Sequence, residues 1–166
     1  MPAVEPHPAP LPLRAAMEAR DLQAVVDAFA PDAVLRSPFT SRLAFTGRDQ
    51  IAAVTKVVMD VFTDWRYTDE VRGDGRAVLV ARARVGGEDI EMTEYLRLRP
   101  DGKVGELTVF FRPLPATAAA LRLIGAGLGR RKGPLRAAVI SVLTRPLAFM
   151  TKTGDGLGVK LVRGSI

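Results

Sequence analysis

Hydrophobic and polar residues alternate with two different periods along this chain. Up to residue 62 the apolar positions recur every three or four residues, which is the spacing of amphipathic helices. This spacing predicts a helix from about Pro12, a second helix over 21–29 and a third over 51–62. A short strand is expected at 33–36, between the second and the third helix.

From residue 65 to residue 113 the period changes to two, which is typical of strands with one buried face. Three glycine-containing separators, at 73–75, 86–87 and 101–102, are suited to hairpin turns. The segment therefore predicts a meander of four antiparallel strands. Helices that are segregated from an antiparallel sheet indicate the α+β class.

One strand carries a charged residue on its apolar face. In "IEMTEYLRL", residues 90–98, the alternation places Glu94 between Met92 and Leu96 on the side that should face the core. A carboxyl group in such surroundings resists ionisation, because the charged form loses its hydration. Three other interpretations stay open: Glu94 pairs with a buried arginine, reaches solvent, or follows a β-bulge that turns it outward.

The composition excludes several kinds of chemistry. The chain has no cysteine, which excludes disulfides and thiolate metal sites, and its single histidine, His7, lies in a proline-rich stretch. Residues 1–11 are interpreted as a flexible tail, so His-based triads and zinc sites are not expected. We expect neither a metal nor a cofactor. Neither a signal peptide nor a membrane-spanning run is apparent, so a cytoplasmic protein is expected.

The net charge of +6 is concentrated at the C-terminal end. Residues 114–166 hold nine Lys and Arg against the single Asp155, a net +8, whereas residues 1–113 carry −2. A basic end attracts nucleic acid, anionic lipid or acidic proteins, or simply keeps the protein soluble. Arg82 and Arg84 have no aromatic residues interleaved, so nucleic-acid binding is not expected.

The basic segment 114–166 is predicted to be mainly helical. One helix should follow Pro113 to about Gly125, and a second apolar stripe begins at Leu135, with a bend at Pro146. A stripe of that size should be buried. We expect this extension to pack on the preceding body as a lid; a dimer contact and a peripheral membrane contact are the alternatives.

Three segments carry a resemblance to a known family: "AMEARDLQAVVDAFAPDAVLRSPF", "FTGRDQIAAV" and "GKVGELTVFFRP". In this order and spacing, residues 12–113 resemble the SnoaL-like branch of the nuclear transport factor 2 superfamily. The resemblance implies a cone, in which a curved antiparallel sheet wraps a long helix around a deep apolar pocket. Members include ketosteroid isomerases, polyketide cyclases, epoxide hydrolases and modules without chemistry, and they often form homodimers.

The resemblance also assigns roles to individual positions. Glu94 matches a protonated acid that donates a hydrogen bond to the substrate oxygen in the isomerases, an effect for which ketosteroid isomerase is a standard example. The isomerase base falls at Ser37 and the tyrosine donor at Leu13, so isomerase activity is not expected. An epoxide-hydrolase arrangement would need a second carboxylate and an arginine, for which Asp60 and Arg112 are candidates.

Two functional hypotheses follow. The first is a pocket protein for a small hydrophobic molecule, polyketide-, terpenoid- or steroid-like, with catalysis undecided. Its catalytic candidate is Glu94, and its expected ligand-binding residues are Trp65, Tyr67, Met92, Leu96 and Phe111. The second is a non-catalytic interaction module whose basic extension docks on a membrane surface or an acidic partner.

Overall fold

A computed structural model describes residues 9–130 of the chain. His7 and the predicted helix from Leu135, with its bend at Pro146, lie outside the described residues. In chain order the elements are α1 (Pro12–Glu18), α2 (Leu22–Ala28), β1 (Phe29–Arg36), β2 (Ala44–Thr46), α3 (Gly47–Val61), β3 (Phe62–Gly73), β4 (Arg76–Val85), β5 (Glu88–Leu98), β6 (Val104–Arg112) and α4 (Leu114–Arg130).

The strands form one curved, mixed sheet in the order β2-β1-β6-β5-β4-β3. The meander predicted from the period of two is confirmed as β3 to β6, whose neighbours pair antiparallel. The sheet departs from a purely antiparallel one at a single junction, since β1 pairs parallel with β6. A parallel pair needs a long connection, and here α3 and the whole meander supply it.

The alternation expected along β5 is confirmed. Ile90, Met92, Glu94 and Leu96 are all buried, while the residues between them are partly exposed. The pairing of β5 with β4 runs without interruption, and the irregularity between β5 and β6 lies at Arg97, beyond the glutamate. No bulge therefore turns Glu94 outward.

Helix α2 begins where the sequence indicates, because the Asp21 side chain accepts a hydrogen bond of 3.0 Å from the Ala24 N–H. The chain is already packed at Leu11, which belongs to the predicted flexible tail. Leu11 is buried, and its N–H donates to the Glu70 carboxylate at 3.1 Å. This contact ties the start of α1 to β3.

Helix α3 lies on the concave side of the sheet, as expected for the cone. Its buried face carries Ile51, Val54, Thr55 and Val57, and it packs against β1, β3 and α4. Helix α4 crosses α3 at very short range, since a Cβ atom at Gly127 would lie 2.4 Å from Cγ1 of Val57. Only glycine allows this approach. Within residues 9–130, no helix has both the length and the apolar character that crossing a membrane would require.

Candidate functional site

A cavity of about 150 Å³ lies between the helices and the concave face of the sheet. Among the described residues that line it, Glu94 alone has an ionisable side chain. The lining residues are Leu13, Met17, Val25, Phe29, Leu35, Ser37, Pro38, Phe39, Leu43, Phe45, Val54, Thr55, Val58, Trp65, Glu94, Leu107, Val109, Phe111, Leu121, Ile124, Gly125 and Leu128.

Glu94 lies on the wall of this cavity and is only 5% exposed. Burial raises the pKa of its carboxyl group from 4.5 to about 7, and a hydrogen bond from Tyr67 opposes that rise in part. The Tyr67 hydroxyl donates to Oε2 at 3.0 Å, whereas Oε1 has no hydrogen-bond partner within residues 9–130. Near neutral pH a large share of the molecules therefore carry a protonated acid that can donate to a guest molecule.

Tyr67 is buried beneath Glu94 and acts as its donor. Desolvation first, and then the nearby charge of Glu94, hold the pKa of the Tyr67 hydroxyl well above its usual range. Tyr67 therefore keeps its proton at any physiological pH. Strand β3 has two register irregularities here: one spans Thr63 to Arg66, and thus includes Trp65 and the left-handed Asp64 (φ 53°), and the other follows Tyr67.

Trp65 packs beside Tyr67, with 6.0 Å between their ring centroids in an edge-to-face arrangement. Its indole nitrogen Nε1 is buried and has no hydrogen bond of normal length and angle. The indole nevertheless lies near enough to the Tyr67 hydroxyl to lower that group's pKa. We take the contact as a weak electrostatic one, because the geometry of a full hydrogen bond is not met.

Two hydroxyl groups complete the polar part of the wall. The Ser37 oxygen accepts a hydrogen bond of 3.2 Å from the Phe39 N–H. Thr55 is 6% exposed, and its hydroxyl makes no hydrogen bond to any of the described residues. The sequence reading missed Thr55, although it occupies a position on the inner stripe of α3, four residues after Ile51. A polar residue on an apolar helical stripe is the signal that could have identified it.

The expected ligand-binding residues separate into two groups. Trp65 and Phe111 line the cavity together with Glu94. Met92 and Leu96 are completely buried in the core and are not part of the cavity wall, and Tyr67 reaches the site only through its hydrogen bond to Glu94. Adjacent to Phe111, Phe110 points to the opposite face and is exposed.

The candidates for an epoxide-hydrolase arrangement were wrong. Asp60 is exposed and forms an ion pair with Lys56 at 3.6 Å, and Arg112 is exposed and pairs with Glu91 at 3.5 Å. Neither residue lines the cavity. Leu13 and Ser37, the positions of the family's tyrosine and base, do line it, so the cavity occupies the expected place but lacks those two groups. Residues 9–130 also contain no group of three side chains suited to hold a metal ion.

Comparison with solved structures finds the same architecture. A bacterial protein with a cystatin-like fold from Silicibacter pomeroyi superimposes with a TM-score of 0.64 at 22% identity, covering 72% of this chain and 82% of that protein. A steroid delta-isomerase from Pseudomonas aeruginosa gives 0.61 at 30% identity, covering 74% and 88%. The epoxide hydrolase/cyclase-like enzyme SalBIII, of pyran ring formation in the polyether salinomycin, gives 0.51 at 16% identity, covering 59% and 83%.

Curated protein sequences contain no match to this chain. The sequence profile of the SnoaL-like domain, by contrast, matches residues 13–112, which begin in α1 and end with β6. The match covers more than half of the chain and includes every strand of the sheet. On this evidence the chain belongs to the SnoaL-like domain family, within the nuclear transport factor 2-like superfamily.

Proposed function

We propose that this protein binds a small hydrophobic molecule in the cavity, and that protonated Glu94 donates a hydrogen bond to an oxygen atom of that molecule. The observation that carries the proposal is the state of Glu94. Within residues 9–130 it is the one ionisable group on a mostly apolar wall, its pKa is raised to about 7, and its Oε1 has no hydrogen-bond partner. A carbonyl oxygen would satisfy that group without introducing charge.

The volume of the cavity indicates which classes of ligand fit without a change in the structure. A dry protein cavity of 150 Å³ accommodates a single six-membered ring, and the cavity here has about that volume. Small aromatic or monoterpenoid ketones would therefore fit directly. A multi-ring polyketide or steroid would require α4 to move outward, since Leu121, Ile124 and Leu128 form part of the wall.

Binding is better supported than proton transfer of the isomerase type. That reaction needs a base in addition to the hydrogen-bonding acid, and Ser37 stands at the base position. No second ionisable side chain lines the cavity within residues 9–130. The relatives nevertheless support ring-containing ligands, because they include a steroid delta-isomerase and an enzyme of pyran ring formation.

The described part of the C-terminal extension, helix α4, does not support the alternative of an interaction module. That function requires an exposed apolar stripe, yet α4 buries Ala116, Ala120 and Ile124 against the rest of the chain. The remainder of the extension lies outside the described residues.

Calorimetric titration with acetophenone and ethylbenzene tests the proposal, because these one-ring molecules differ chiefly in one carbonyl group. At about pH 5 the ketone should bind roughly five- to tenfold more tightly, which is the scale of one buried hydrogen bond. This preference should decline as the pH rises through the pKa of Glu94, about 7, because the ionised carboxylate cannot donate.

Two variants at the same position sharpen the test. Glu94→Leu should abolish the preference for the ketone, since no donor remains. Glu94→Gln retains a donor, so it should keep the preference and lose its pH dependence. If neither compound binds, or if the ketone has no advantage at any pH, the proposal is wrong.

A further inference from the structure

The Thr55 hydroxyl lies at the cavity wall and makes no hydrogen bond inside the described structure. Thr55 lies on α3, it is 6% exposed, and its side chain forms part of the cavity wall. The proposed role of Glu94 makes no use of it. Its helical neighbours Val54 and Val58 also face the cavity, so an aliphatic residue at this position would fit the surroundings.

The absence of a local hydrogen bond is unusual for a helical threonine. A threonine in the interior of a helix commonly bonds the carbonyl oxygen three or four residues earlier. Thr117 does this in α4, where its hydroxyl donates to the Pro113 oxygen at 2.9 Å. The Thr55 hydroxyl makes no such bond within residues 9–130. Within residues 9–130 the buried side-chain atoms without a hydrogen bond are Arg14 Nε and Trp65 Nε1, so the Thr55 oxygen is accessible from the cavity, where an occupant can bond it.

Glu94 and Thr55 lie on opposite walls of the cavity. Glu94 projects from β5 in the sheet, and Thr55 projects from α3, which packs on the concave face of that sheet. Both groups line the same cavity of about 150 Å³, a volume that accommodates one ring. A molecule with a single oxygen could satisfy only one of them.

We propose that Thr55 is a specificity-determining residue, and that the ligand is a one-ring molecule with two oxygen groups, one bonded to Glu94 and the other to Thr55. This inference rests on the proposed function of the cavity. A hydroxyl group on the ligand is the best match for the Thr55 hydroxyl, because each of these two groups can both donate and accept a hydrogen bond. The expected ligand is therefore a hydroxylated ketone, and neither a simple hydrocarbon nor a ketone without a second oxygen group.

The experiment compares acetophenone with 3′-hydroxyacetophenone and 4′-hydroxyacetophenone by calorimetric titration of the full chain at about pH 5, where Glu94 is protonated. At least one hydroxylated isomer should bind about fivefold or more tightly than acetophenone, the gain expected from one further buried hydrogen bond. In Thr55→Val, which preserves shape and removes the hydroxyl, this gain should disappear.

Thr93→Val is the matched control, because Thr93 is adjacent to Glu94 on β5 and its side chain lies on the other face of the strand. It should keep the full gain in affinity for the hydroxylated compound.

Thermal unfolding of Thr55→Val should show no loss of stability, because the hydroxyl has no protein partner to lose. Equal affinity for all three compounds, a gain that survives in Thr55→Val, or a marked loss of stability in that variant would each overturn the inference. If acetophenone itself binds with the Glu94 dependence described above, the proposed function stands even when this inference fails.

Discussion

The Tyr67 hydroxyl reaches from β3 to Glu94 on β5 and donates a hydrogen bond of 3.0 Å across the intervening strand β4. Strands two positions apart in a sheet are separated by nearly 10 Å, so only a long side chain on a concave face can make this contact. The bond holds one carboxylate oxygen and leaves the other for the cavity. Sheet curvature thereby determines how the acid is presented.

Removing this donor should raise the pKa of Glu94 further. The bond from Tyr67 favours the charged carboxylate and opposes the effect of burial. In Tyr67→Phe only desolvation remains, so we expect the pKa to move above about 7. Titration of isotope-labelled glutamate by NMR measures it, and Tyr95→Phe, on the more exposed face of β5, is the control. An unchanged or lower pKa in Tyr67→Phe would contradict the assigned role of this bond.

Stability should depend on pH through Glu94. Because its folded pKa is about 7 and its unfolded pKa about 4.5, the folded state holds a proton that the unfolded state releases in this interval. The contribution of Glu94 is thus fully present below pH 4.5 and is lost as the pH rises to about 7. The full change corresponds to about 3 kcal/mol.

Urea unfolding of the wild type and of Glu94→Gln at a series of pH values isolates this contribution, since the other titrating groups are common to both proteins. The wild type should lose stability relative to the variant as the pH rises across the interval. Parallel curves for the two proteins would mean that Glu94 is ionised in the folded state.

Helix α4 should be displaced by a side chain at Gly127. An added Cβ would lie 2.4 Å from Val57, a distance that forces α3 and α4 apart. We expect Gly127→Ala to destabilise the protein by about 1–3 kcal/mol, the usual cost of overpacking, and to weaken acetophenone binding. Thermal unfolding and calorimetry measure the two effects. Gly73→Ala is the control, because nothing lies within 4 Å of a Cβ at that position. If both variants change stability and binding equally, the close crossing of α3 and α4 at Gly127 is excluded.

Truncation after Pro113 should damage the cavity more than the sheet. It removes four wall residues, Leu121, Ile124, Gly125 and Leu128, and exposes apolar surface on β4, β5 and β6. The shortened chain should bind the dye ANS, aggregate, and lose acetophenone affinity, as measured by fluorescence, light scattering and calorimetry. If it keeps the thermal stability and the affinity of the full chain, α4 is not a functional part of the cavity.

Local pattern alone predicted the face on which Glu94 lies and the order of the elements, apart from the short strand β2. Both depend on neighbours along the chain, since the period of two in β5 assigns each side chain to a face regardless of what covers that face. The family-like segments extended this to the cone, with α3 on the concave side of the sheet. Phe110 and Phe111 lie on opposite faces of β6 for the same reason.

The partner of Glu94 could not be read from the sequence, because it depends on contacts between distant segments. Tyr67 meets the acid only where β3 and β5 curve around α3, and Asp60 and Arg112 are excluded only by the directions in which α3 and β6 present them. The same packing places Thr55 against the cavity, where the structure gives its hydroxyl no partner among the described residues. Sequence periodicity determined which side chains face inward, and the curvature of the sheet decided which of them meet.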